Sequence, residues 1–191
     1  MRHSLVLLPL FGLLACGGNV DDRELSAAPH VKAKSGTVWR NDIMQGLSLN
    51  QQQVCLELGL YDCIDDAHRI AMGGVDPERL GIDVPLERPP SSAPIAFDRA
   101  AINACQTRYT LDTQGSPAIF GAVLASNTEE ARSTTANLLV QRILARDATS
   151  EERTELAALY DTIAPLSQDP VTDWSIGACV VVATSLEALF Y

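Results

Sequence analysis

Positive charge is what this sequence has least of. Its 191 residues carry 14 Lys and Arg against 24 Asp and Glu, a formal net charge of −10. The only lysines are Lys32 and Lys34. Such a surface repels phosphate backbones, so the chain is expected to take no nucleic acid as a partner. Aromatic residues make up only 5%, but 47% of the chain is apolar and 20% charged, which excludes a wholly disordered protein. Catalytic signatures are missing as well. The chain has no G-x-S-x-G elbow, no S-x-x-K and no H-E-x-x-H. It also lacks the glycine-rich phosphate loops. With no C-x-x-C-H there is no haem attachment point, and with no C-x-x-C no vicinal redox dithiol. No repeat of 20–50 residues is visible.

Residues 1–15 read as an export signal. Arg2 supplies a short positive start, and the apolar run from Leu5 to Leu14 is too short to span a bilayer as a mature helix. The run closes on Leu13-Leu14-Ala15-Cys16. An ordinary secretory cleavage site wants a small residue where Leu13 stands. In this segment the chain resembles bacterial lipoprotein precursors, whose lipobox ends in a cysteine that is diacylated and becomes the new N-terminus. The resemblance implies lipidation at Cys16, with palmitate among the acyl chains. Two or three chains hold a protein stably, so the membrane would be a partner through a lipid anchor, without a spanning segment. In Gram-negative lipoproteins an Asp directly after the cysteine commonly retains the protein at the inner membrane. Gly17 and Gly18 follow Cys16 here, which implies sorting to the outer membrane, facing the periplasm or the cell surface. Losing the first 15 of 191 residues leaves 176, a single-domain length, and taking Arg2 away moves the charge from −10 to −11.

Residues 16–36 are polar, rich in small side chains and without sustained periodicity, as a flexible tether would be. The folded domain is expected over 37–191. Ser48 and Gln51 have capping-box spacing before Val54, Leu56 and Leu58, which predicts a helix over about 49–58, ending near Gly59. Residues 73–95 hold five of the ten prolines and read as a long irregular loop. Phe97, Ala100, Ala101, Ala104 and Cys105 recur at helical spacing and predict a helix over 96–108, broken from Asp112 to Pro117. Asn127 with Glu130 and Thr149 with Glu152 start two further helices, about 128–146 and 150–163. The apolar run from Trp174 to Phe190, despite β-branched Val180-Val181-Val182, is assigned to a last helix on its length. The expected fold is all-α, a small disulfide-tied helical bundle with long irregular loops.

Besides Cys16 there are four cysteines, Cys55, Cys63, Cys105 and Cys179, an even number suited to disulfides in an exported chain. Three pairings are possible. The spacing favours Cys55–Cys63 across a helix end and Cys105–Cys179 tying an inner helix to the last one.

The densest polar constellation is Asp62, Asp65, Asp66 and His68. Three carboxylates and a histidine can bind a cation or perform acid/base work. Their spacing fits no EF-hand, and Cys63 with His68 falls short of the ligands a zinc site needs. With His3 in the leader and His30 in the tether, His68 is the one histidine of the body. The alternative is that the acidic residues cap a helix start and pair with Arg69. Trp39 and Trp174 are candidates for a ligand groove or for core packing. No catalytic residue, metal or cofactor is assigned.

The segment Arg142 to Glu152, Trp174 and the ending Thr184 to Tyr191 resemble helical regions of large exported proteins of planctomycetes and myxobacteria that accompany c-type cytochrome domains. That resemblance implies an accessory role beside an electron-transfer assembly, without haem on this chain. The expectation is a cell-envelope lipoprotein acting as a binding, accessory or structural component, with another envelope protein as partner. The alternatives are that electron-transfer accessory and an envelope enzyme built on Asp62–Asp66 and His68.

Overall fold

Ser35 turns the chain into its first helix, because its hydroxyl accepts the Val38 amide and so caps α1 (Gly36–Leu47). The computed structural model describes residues 31–86, 88–115 and 117–191. The expected leader, Cys16 and the expected tether as far as His30 lie outside the described residues. α1 has no counterpart in the sequence expectation, since glycines and Thr37 make it a poor intrinsic helix. It stands because Trp39, Ile43 and Leu47, spaced by four, are all fully buried. Ahead of it, Lys34 donates its amide to the Leu189 carbonyl and Tyr191 donates back to Lys32. The folded body therefore takes in residues 32–36, short of the expected start at 37.

The expected helix over 49–58 is corrected to a single turn, α2 (Gln51–Val54). Ser48 is not its cap. That residue closes α1 in the left-handed conformation, with φ 52°, and Asn50 makes the capping box with Gln53. Beyond α2 the chain cannot stay helical, because Cys55 is extended (φ −164°) and bonded to Cys63, eight residues on. Leu58 and Gly59 take positive φ, 54° and 71°, and reverse the chain. The result is a two-stranded antiparallel sheet, β1 (Leu56–Glu57) with β2 (Tyr61–Asp62), in which Leu56 faces Asp62 and Glu57 faces Tyr61. The body is mostly helical and carries two disulfides, but the sheet makes it other than purely all-α. A π-helical turn, Cys63–Ala67, follows.

After irregular chain come α3 (Ala93–Gln114), α4 (Gly121–Ala125), α5 (Glu129–Leu144), α6 (Ser150–Ile163), α7 (Pro170–Ala183) and α8 (Leu186–Leu189). α3 outruns the expected 96–108. Its last turns persist because Asp112, placed by sequence in a break, is buried and paired with Arg108. α5 is capped by Thr128, whose hydroxyl accepts the Ala131 amide. Asn127 instead donates to the Tyr160 hydroxyl. The Thr149–Glu152 box forms as its spacing requires. The single last helix is corrected to two, since Ser185 is extended and caps α8.

Small residues decide how α3 meets α7. Ala100, Ala101 and Ala104 are fully buried, and Cys105 reaches Cys179 across a Cα separation of 5.9 Å. Both tryptophans are core residues with their indole N–H satisfied. Trp39 donates to the Ala183 carbonyl at 2.9 Å and Trp174 to the Leu156 carbonyl at 2.8 Å.

Candidate functional site

The polar constellation around residues 62–68 is held by an arginine that sequence reasoning did not connect to it. Arg40 on α1 places Nη1 2.7 Å from Asp65 Oδ2 and 3.4 Å from Asp62 Oδ2, and its side chain is almost wholly buried. Asp62 uses its other oxygen to accept the Ile64 and Asp65 amides, each at 2.8 Å, which caps the π-helical turn. Asp66 accepts the Asp62 amide at 3.2 Å. Gln51 donates to Asp62 and Asp65 from the far side. Arg69, the expected cation, donates instead to the Asp65 backbone carbonyl at 2.6 Å. Asp62, Asp65 and Asp66 thus cap a turn and bind α1 to it.

His68 is drawn away from these aspartates. Its Nε2 lies 3.0 Å from Glu57 Oε1 on β1, while Arg99 on α3 donates to Glu57 Oε2 at 2.8 Å. The His68 hydrogen bond, aided by Arg99, holds the Glu57 carboxyl below its ordinary value against the opposing effect of partial burial. Neither Glu57 nor Arg99 could be read from local sequence, because they stand 11 and 42 residues from their partners. Among the described residues no group of three or more His, Cys, Asp or Glu is arranged to hold a metal ion. The nearest sulfurs, Cys55 and Cys63, are joined in a disulfide.

A second feature shares no residue with that cluster. An open groove of about 550 Å³ runs between α5, α6 and the α7–α8 junction. Val140 and Leu144 line it from α5, Leu156 and Leu159 from α6, Val181 and Val182 from α7. Along the α6 edge stand Glu151 and Glu155, both exposed, four residues apart on one helix face. Glu152, between them, is committed elsewhere: both its oxygens accept from Arg146, which also grips Glu187. Among the described residues no Lys or Arg lines the groove.

Set against protein-family models, curated proteins and solved structures, the chain matches none. Among the described residues no helix is long and apolar enough to cross a membrane.

Proposed function

We propose that the protein is a cell-envelope lipoprotein, anchored through Cys16 to the outer membrane, whose disulfide-tied body serves as a non-enzymatic binding or accessory component for another envelope protein. The engagement of Asp62, Asp65, Asp66 and His68 carries the non-enzymatic part. Each has its partner within the fold, in a cap, an ion pair or a hydrogen bond, and the Trp39 and Trp174 rings are core. The groove between α5, α6 and the α7–α8 junction is mostly apolar, suited to contact more than to chemistry. The anchoring part is supported by the Leu13–Cys16 sequence and by two disulfides in the body, which persist in oxidising compartments outside the cytosol.

Growth of the host with radiolabelled palmitate tests the anchor. The wild-type protein should carry label and partition with membranes, and Cys16→Ser should lose both. Unlabelled wild-type protein would overturn the reading. His68→Ala tests the other half. It is expected to lower stability by about 1 kcal/mol through the lost Glu57 contact and to change no activity of the envelope.

A further inference from the structure

The groove between α5, α6 and α7 is lined by acidic residues from α6 and by apolar ones from α7, and that asymmetry specifies an occupant. We propose that it docks an amphipathic helix of a partner protein, a helix with an apolar stripe and basic residues along one side of it. This inference rests on the reading of the body as a binding component and names the partner's chemistry.

Three observations select such a helix. Glu151 and Glu155 are exposed on the rim, and neither has an ion-pair or hydrogen-bond partner among the described residues. Their spacing of four sets the two side chains on one face of α6 with Cβ atoms about 6 Å apart, a match for Lys or Arg four apart on a helix lying beside α6. The α7–α8 side adds apolar surface beyond the cavity itself. Val181 is 51% exposed, and Leu186, one residue past the lining Ser185, is 77% exposed. A small ligand filling about 550 Å³ would leave Leu186 uncovered, whereas helix-in-groove recognition uses a row of apolar anchors at three- and four-residue intervals. Finally, the chain's net charge of −10 favours encounter with a basic partner and disfavours an acidic one.

The test uses the full chain isolated from its host and placed in nanodiscs of zwitterionic lipid, with empty discs subtracted. The probe is a fluorescent amphipathic peptide about 15 residues long, with leucines at helical spacing flanked by arginines four apart. A second peptide carries glutamates in place of the arginines. The basic peptide is expected to bind at least tenfold more tightly, Glu151→Lys with Glu155→Lys to reverse that preference, and Val181→Gln to weaken both peptides. Val181 and the two glutamates are exposed, so the variants should stay folded, with Glu151→Lys melting slightly lower because Glu151 lies in the first turn of α6. Absence of binding, equal binding of the two peptides, or a preference that survives the double charge reversal would overturn the proposal. So would saturable binding of submicellar dodecyltrimethylammonium without peptide binding, which would mark a small-molecule pocket. Palmitate on Cys16 is scored in the same preparations, so failure of the anchor and failure of the groove are read separately.

Discussion

Asp112 grips Arg108 from one turn away, with Oδ1 2.6 Å from Nη2, and both side chains lie inside the protein. The carboxylate also accepts the amides of Ala118, Ile119 and Phe120 at 2.8–2.9 Å. Arg108 reaches the other way, to the Leu47 and Ser48 carbonyls at the end of α1. One ion pair therefore joins the α1 C-terminus, α3 and the approach to α4.

Removing one member of a buried pair strands the other. Asp112→Ala should destabilise the protein by about 3–5 kcal/mol, read as a drop in the urea midpoint. A loss below about 1 kcal/mol would mean that water reaches Arg108 and the pair is not the joint described.

Gly46 is the second joint. A β-carbon there would meet the Arg142 carbonyl oxygen at 2.6 Å, and Arg142 itself donates to the Gly46 carbonyl and the Ser48 hydroxyl. The crossing of α1 on α5 thus depends on hydrogen in place of a methyl group. Gly46→Ala should cost about 1–3 kcal/mol by overpacking, although alanine is the better helix former. Thermal melts of the variant decide this, and a rise in Tm would contradict the close crossing.

The disulfides should differ in weight. They close loops of 74 and 8 residues, for which chain entropy gives about 4.4 and about 2.5 kcal/mol. Cys105→Ala with Cys179→Ala should therefore lower the denaturation midpoint more than Cys55→Ala with Cys63→Ala. The reverse order would show that the small sheet, not the α3–α7 contact, depends on covalent closure.

Acid should loosen the α5–α6 connection. Arg146 draws the Glu152 carboxyl down from 4.5 to about 2, and lowers Glu187 as well. A carboxylate whose folded value lies below its unfolded one stabilises above the unfolded value, and that contribution disappears as pH falls through the folded value. Arg146→Met should accordingly be less stable than wild type near about pH 6, with the gap closing toward about pH 2. These groups are a third to a half exposed, so the gap is small and shrinks with added salt. A gap constant across that range would contradict the assignment.

Periodicity and capping chemistry made the second half of the chain legible. The Thr149–Glu152 box and the apolar spacing of 150–163 predict α6, and the structure places α6 there. α1 was illegible because burial of Trp39, Ile43 and Leu47, not propensity, makes it helical. The β1–β2 pair was illegible because two apolar residues on either side of Gly59 look the same in a helix and in a hairpin, and the Cys55–Cys63 bond decides between them. At the polar constellation the sequence showed the acidic residues but not Arg40, Glu57 or Arg99, whose contacts are made by tertiary packing across 11 to 42 residues. The groove likewise joins side chains from helices whose individual apolar stripes look like ordinary core.

The central claim, an acylated anchor on a disulfide-tied body, is tested most directly by the intact mass of the protein purified from its host's membranes, with and without reduction. The account predicts a chain that begins at Cys16, carries acyl groups and gains four hydrogens on reduction. An unacylated chain with free thiols at Cys55, Cys63, Cys105 and Cys179 would contradict it.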